Sequence, residues 1–344
     1  MQGAVFVGDR ELELREFPDP TPGPGEVIVA IKASGMCGSD LHYYRTPRAE
    51  RPLERQFIAG HEPCGVIVAR GAGVGESQAP EGQRVMVHHY SGCGRCKHCR
   101  AGYAQMCLHG SIVYGGANGH GAHAPLMRLV STSMLVPLPD ELSFEEGAAV
   151  SCGTGTAYLA LKRLDVSGRD TLAIFGQGPV GLSGTMLARA MGARVIAVDP
   201  AADRRALARE FGADEVVDPA ACDPVEAIRE LTHGEGAETT LDCSGIPEAR
   251  VAAVQSACTW GRVCFVGERR TTTFDISPDI IHKQLTIYGS WTFSSLGQDE
   301  CARFVVDHQV PLARLLTHHF KLAQAAEAYR LFDTQTTGKG VFVF

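Results

Sequence analysis

Leu172-Ala173-Ile174-Phe175-Gly176-Gln177-Gly178-Pro179-Val180-Gly181 sets a short apolar run directly against a glycine-rich turn. Four apolar residues without alternation are the pattern of a strand buried on both faces. The turn opens a helical pattern that continues through Met191. Glycines at 176, 178 and 181 permit a tight turn, close backbone approach to a pyrophosphate, and close helix–strand packing. A phosphate there would meet the positive end of the helix. The next strand, Arg194–Val198, ends at Asp199, about twenty residues beyond the fingerprint, where an acid binds adenosine ribose hydroxyls. The expected dinucleotide site is therefore Gly176, Gly178, Pro179, Val180, Gly181, Asp199 and Arg204. An acid at 199 repels a 2′-phosphate, which favours NAD over NADP. Arg204 and Arg205 follow in the first turn of a helix, where exposure is expected, and either could reach a phosphate.

Outward from this stretch the chain changes texture at about Cys152. Beyond it, strand-like runs at 239–242, 262–266 and 285–288 alternate with helical patterns at 156–164 and 204–211 and with a helix start at Asp223-Pro224-Val225-Glu226. Such alternation argues for an α/β domain with a parallel sheet covered on both faces. Before it, apolar runs at 4–7, 27–31, 65–69 and 84–88 are separated by Gly and Pro, which reads as β-rich. With 344 residues the chain can hold two cores. A formal net charge of −7 and the lack of a basic run give no support for nucleic-acid binding. No stretch supplies the ~18 apolar residues of a membrane span. The start, Met1-Gln2-Gly3-Ala4-Val5-Phe6, has no positive n-region or apolar core of a signal peptide. Twelve cysteines in that setting point to a reducing, cytoplasmic location.

Cys93, Cys96, Cys99 and Cys107 form two overlapping Cys-x-x-Cys steps with a fourth thiol eight positions on. Four thiolates at about 2.3 Å close a tetrahedral zinc and leave no place for substrate, so the lobe at about 90–110 reads as structural. Bacterial ferredoxin runs place three residues before the last cysteine and a proline after it, which this stretch lacks. Disulfides are the remaining alternative for these thiols.

A second ligand-type group lies in Gly35-Met36-Cys37-Gly38-Ser39-Asp40-Leu41-His42, in Gly60-His61-Glu62, and at Cys152. Alone, each thiol reads as an ordinary buried cysteine and His61 as a satisfied core histidine. A catalytic zinc with an open position takes three protein ligands, and two cysteines with one histidine are a known set.

Together these residues resemble the zinc-dependent medium-chain alcohol dehydrogenases. The resemblance spans nearly the whole chain. It is carried by 35–42, 60–62, the cysteine lobe, Leu142-Ser143-Phe144-Glu145-Glu146-Gly147-Ala148-Ala149, the glycine fingerprint and Gly338-Lys339-Gly340-Val341. Ile287-Tyr288-Gly289-Ser290-Trp291 and Gly261-Arg262-Val263-Cys264-Phe265-Val266-Gly267 point to the bacterial branch similar to threonine and polyol (sorbitol) dehydrogenases. The resemblance implies a GroES-like catalytic domain over 1–152 and 290–344, interrupted by a Rossmann domain over 153–289. It implies two zinc ions per chain and NAD. Cys37, His61 and Cys152 would hold the catalytic zinc, with Glu62 as a possible exchange ligand. Asp40 would fix the His61 tautomer, and Ser39 and His42 would relay the alcohol proton. Threonine and polyol dehydrogenases commonly carry Glu where this chain has Cys152. Glu145 and Glu146 read as the exposed start of a helix rather than as ligands.

The implied reaction is reversible hydride transfer between NAD and a secondary alcohol, polyol or hydroxy-amino acid. The alternatives are a zinc-independent quinone or alkene reductase of the same fold, and a non-enzymatic NAD-binding zinc scaffold. Tyr43, Trp291 and Phe293 could wall the substrate pocket or simply pack. His88, His89, His318 and His319 read as packing or surface residues, whereas His120 and His123 lie in a glycine-rich loop that could approach a site. The resemblance also implies a homodimer or homotetramer, paired through the last Rossmann strand.

Overall fold

The computed structural model describes residues 1–50, 57–116, 118–336 and 338–344. The apolar run before the glycine turn is the strand Thr171–Phe175, and Leu172, Ala173, Ile174 and Phe175 are all at most 1% exposed. Successive side chains of a strand point to opposite faces, so this full burial requires cover on both. Leu172 and Ile174 pack with Leu161, Leu182, Met186 and Leu241. Ala173 and Phe175 pack on the other side with Ile196, Val198, Ile228 and Ala253.

Around this strand lies a six-stranded parallel sheet in the order Glu215–Val217, Arg194–Val198, Thr171–Phe175, Ala237–Asp242, Ala257–Phe265, Thr286–Gly289. Chain direction across the sheet reverses between Thr171–Phe175 and Ala237–Asp242. That switch point is where open α/β sheets form ligand crevices. The three-residue strand Glu215–Val217 had no legible pattern in the sequence, being too short to show a period. The helix Pro224–Leu231 starts as read: the Asp223 carboxylate accepts from the backbone N–H groups of Val225 and Glu226 at 2.8 and 3.3 Å.

The β-rich part builds a second sheet on the long strand Val27–Gly35, which pairs with Glu62–Arg70, Leu126–Leu129 and Lys339–Val343. The last of these comes from the end of the chain, with Val341 opposite Gly35 and Phe342 opposite Ser34. The two sheets are joined by a continuous helical run. Phe144–Ala149 opens with a capping box between Ser143 and Glu146, which places Glu145 and Glu146 in a helix first turn as expected. It passes through the π-helical turn Val150–Thr154 into Gly155–Arg163. No described helix is long and apolar enough to cross a membrane.

Candidate active site and metal centres

Between the two sheets runs a cleft of about 1810 Å³. Cys37, Ser39, His42, His61, Glu62 and Cys152 line one part of it. Gly176, Gly178, Pro179, Val180, Asp199 and Arg204 line another.

The first group converges because several backbone features end at one point. The register of Val27–Gly35 against Glu62–Arg70 sets Gly35 opposite Glu62, so Cys37 and His61 leave the sheet side by side. Gly60 holds φ +90°, and a Cβ there would lie 2.3 Å from His123 Nδ1, so only glycine can make this turn into His61. Cys152 projects from the π-helical turn, a distortion that re-aims side chains and recurs at functional sites. One ligand atom from each of Cys37, His61, Glu62 and Cys152 lies within 4.8 Å of the others.

The cluster fits a zinc ion. Its two sulfurs are 4.0 Å apart; tetrahedral geometry with bonds of about 2.3 Å asks for about 3.8 Å. Asp40 Oδ1 lies 2.9 Å from His61 Nδ1, which commits that nitrogen to the carboxylate and turns Nε2 toward the sulfurs. Ser39 is the N-cap of the helix Asp40–Arg45 but makes no capping bond. Its hydroxyl sits 3.2 Å from His61 Nε2 and donates to Cys37 Sγ at 3.4 Å. Glu62 Oε1 is buried without a hydrogen-bond partner among the described residues.

Charges in the cluster hold one another. A hydrogen bond from Cys152 holds the Cys37 thiol well below its ordinary pKa despite burial, and Cys152 is correspondingly raised. Burial presses His61 down, but the Asp40 and Cys37 charges outweigh it and leave the imidazole well above its usual range. Burial pushes the Glu62 carboxyl up to about 8, with Lys339 pulling against it. Glu62 and Lys339 form an ion pair at 0% and 1% side-chain exposure, and Lys339 Nζ also donates to the Met36 carbonyl at 3.1 Å. The sequence offered Lys339 only as one letter of a closing motif; nothing local marks a lysine there as the partner of a carboxylate 277 positions earlier.

The other four cysteines also gather, with all sulfurs within 4.8 Å. Backbone N–H groups of Cys93, Cys96 and His109 donate to the sulfurs of Cys107, Cys93 and Cys107 at 3.3–3.4 Å. Backbone donors of this kind stabilise thiolates, and those from Cys99 and Leu108 bring Cys96 down to about 6. None of the twelve cysteines is in a disulfide.

At the nucleotide end, Gly176 has φ +90°. Gly181 does not line the cleft; a Cβ on it would fall 1.8 Å from the Gly176 carbonyl oxygen, so it serves the close packing of turn and helix. Asp199 accepts from the Gln177 and Ala201 N–H groups at 2.7 and 2.8 Å and is 4% exposed. The expectation that both arginines would be exposed is corrected. Arg204 is 8% exposed and faces the cleft beside Gly178. Arg205 turns back instead, donating to the Asp199 carbonyl and pairing with Asp218 at 2.8 Å. Asp242 and Arg250 went unremarked in the sequence. Asp242 takes N–H donors from Ser244 and Gly245, and Arg250 bridges it to the Arg270 carbonyl, fixing two loops of the cleft.

Tyr43 and Trp291 line the cleft, whereas Phe293 is 1% exposed and packs against Gly155 and His88, so it is no pocket wall. His88 packs as read, but His89 lines the cleft, its Nδ1 3.2 Å from the Ser151 carbonyl. His120 Nδ1 accepts from the Ile58 N–H and does not reach the cluster. His123 lies fully buried behind Gly60.

Residues 23–140 match the family model "Alcohol dehydrogenase GroES-like domain", and residues 179–308 match "Zinc-binding dehydrogenase". The chain is 42% identical to an uncharacterised zinc-type alcohol dehydrogenase-like protein, YphC, of Escherichia coli (strain K12), over 100% of this chain and 99% of that one. It is 34% identical to the L-threonine 3-dehydrogenase of Thermococcus kodakarensis, over 96% of this chain and 94% of the relative. Among solved structures, the alcohol dehydrogenase TADH from Thermus sp. ATN1 superposes with a TM-score of 0.90 at 27% identity, over 100% and 99% of the two chains. With both sheets, their connection and the sequence matches in agreement, the chain belongs to the zinc-type medium-chain alcohol dehydrogenase family.

Proposed function

We propose that this protein is an NAD-dependent, zinc-dependent dehydrogenase that interconverts a secondary alcohol, polyol or hydroxy-amino acid with its carbonyl product. The observation that carries the reading is the common cleft: a two-cysteine, one-histidine cluster in one part, a glycine turn with a buried acid in another. Cys37, His61 and Cys152 hold the catalytic zinc, Glu62 stands by as an exchange ligand, and the four lobe cysteines hold the second ion. When bound, zinc supplies Lewis-acid polarisation of the substrate oxygen and lowers the pKa of the hydroxyl. Ser39, beside the ligand cluster, takes the hydroxyl proton, and His42, exposed on the rim of the cleft, carries it to solvent. The glycine turn and Asp199 orient the dinucleotide, whose nicotinamide supplies the hydride chemistry. Residues 1–152 and 290–344 form the catalytic domain, and 153–289 the nucleotide domain.

The preference for NAD rests on Asp199. Asp199→Asn removes the charge and keeps an acceptor for one of the two backbone N–H groups, those of Gln177 and Ala201. A unit charge about 4 Å from a phosphate is worth up to about 4 kcal/mol at an effective dielectric of 20. The ratio of kcat/KM for NAD to that for NADP is therefore expected to fall at least about tenfold. An unchanged ratio would remove Asp199 from the cofactor assignment.

The open edge strand Thr286–Gly289 and the exposed Trp260, Ile276, Ile281 and Ile287 support a homodimer formed through this edge, alone or within a homotetramer. Twelve cysteines, none of them in a disulfide, support a reducing cytoplasmic setting. The activity is tested by NAD-linked oxidation of a panel of secondary alcohols, polyols and hydroxy-amino acids, with quinone and activated-alkene reduction alongside. Oxidation of one class that stops on chelation is the expected result. Chelator-insensitive reduction of quinones or alkenes, with no alcohol oxidised, would assign the chain to the zinc-independent reductases.

A further inference from the structure

Behind the ligand cluster, on the side away from the cleft, lies a line of buried polar groups that the proposed chemistry does not use. Asp40 Oδ2 accepts from the Cys37 N–H at 3.0 Å and from the Tyr329 hydroxyl at 2.9 Å. The Tyr329 oxygen lies 2.7 Å from His123 Nε2, and His123 Nδ1 lies 2.8 Å from Ser34 Oγ. Ser34, Asp40, His123 and Tyr329 are each 0% exposed. They come from four places: the long strand Val27–Gly35, the start of the helix Asp40–Arg45, the loop behind Gly60, and the C-terminal helix Ala325–Asp333.

Counting donors leaves a single proton arrangement. An ionised carboxylate only accepts, so the one proton of Tyr329 goes to Asp40. The tyrosine oxygen must then accept from His123 Nε2–H. Burial lowers the His123 pKa to about 4, so the ring is neutral with a bare Nδ1, which accepts from the Ser34 hydroxyl. Every bond points the same way, from Ser34 through His123 and Tyr329 to Asp40, and on the far side Asp40 holds His61 Nδ1.

Packing does not ask for these polar atoms. The Tyr329 ring sits edge-on to Phe6 at 4.8 Å and among Tyr44, Phe332 and Phe342, a cage that a phenylalanine would also fill. A buried hydroxyl without a purpose costs free energy, and here it meets the carboxylate that orients a metal ligand.

We propose that Tyr329 and His123 are positioning residues for the catalytic metal, acting through Asp40 to fix the orientation of His61. The proposal rests on the reading that Cys37, His61 and Cys152 hold zinc. Without the Tyr329 hydroxyl, Asp40 keeps the Cys37 N–H and His61 as its partners among the described residues, and its carboxylate is held less firmly. Outer-shell partners of metal-bound histidines are worth about 10–100-fold in metal affinity; one bond further out, the lower end of that range applies.

The test is chelator-driven zinc release from the whole protein, followed separately for the faster and slower ion, with the lobe zinc as internal control. Tyr329→Phe is expected to speed release of the catalytic zinc about tenfold and leave the lobe zinc unchanged. The visible spectrum of cobalt(II) at the catalytic site should change with it. His123→Leu should have a similar effect in the wild-type protein and add little in the Tyr329→Phe background, because it acts through the same hydroxyl. Equal acceleration of both ions would mean general loosening and overturn the proposal. So would additive effects of the two substitutions, or wild-type release and an unchanged cobalt spectrum in Tyr329→Phe. A wild-type chain that holds only the lobe zinc would overturn the ligand assignment, and with it the positioning role of Tyr329 and His123. Two zincs in the wild type with an indifferent Tyr329→Phe would overturn the positioning role alone.

Discussion

Cys37→Ala is expected to lower zinc content from about two ions to about one per chain and to reduce alcohol turnover by about a thousandfold or more. The sulfur of Cys37 is 4.0 Å from that of Cys152 and shares the cluster with His61 and Glu62, so its loss leaves the zinc one thiolate short. Polarisation by a bound metal supplies several kcal/mol at the transition state, and each 1.36 kcal/mol is about tenfold in rate. The lobe thiols belong to a separate cluster, so their zinc should stay. The variant is read by metal analysis and by turnover with saturating NAD. A second zinc retained with near-normal turnover would remove Cys37 from the metal site.

Lys339→Met is expected to destabilise the protein by about 3–5 kcal/mol, measured by urea unfolding of the metal-loaded chain. Burial already pushes the Glu62 carboxyl up to about 8 with its partner in place. Deleting the ammonium takes from Glu62 the cation that holds its charge and leaves it beside the Cys37 thiol and His61, and breaking a buried pair by removing one partner is far costlier than having no pair at all. For the same reason Glu62→Gln combined with Lys339→Met should recover most of the loss. A single variant within about 0.5 kcal/mol of wild type, the range of an ordinary surface substitution, would show that the pair contributes little and that the terminal strand is held by its ladder alone. The loss would also loosen the terminal strand, because Lys339 begins it and ties it to the Met36 carbonyl next to Cys37.

The parallel sheet was legible because 172–175 and 195–198 are apolar without alternation, 239–241 is a short strand-favouring run, and each is followed within a few residues by a glycine or a helix start. The nucleotide turn was legible for the same local reason: its chemistry is written in consecutive residues. The metal cluster was only half so. Cys37 and His61 read as ligands through a resemblance, but their meeting depends on the register of two strands and on a π-helical turn that leaves no trace in hydrophobic period. What lay beyond reach were long-range partners. Lys339 with Glu62, Tyr329 with Asp40, and His123 with Tyr329 are separated by 277, 289 and 206 positions, and no local pattern can pair them. Arg204 departs from expectation because first-turn arginines are usually solvated, whereas this one is buried in the lining of the cleft.

Metal content tests the central claim most directly: zinc per chain on the purified protein, with NAD-linked alcohol oxidation followed as a chelator strips the ions one at a time. About two zincs, with activity lost in step with the first to leave and the lobe zinc still bound, is the predicted result. One tightly held zinc, and a turnover that the chelator does not touch, would contradict it.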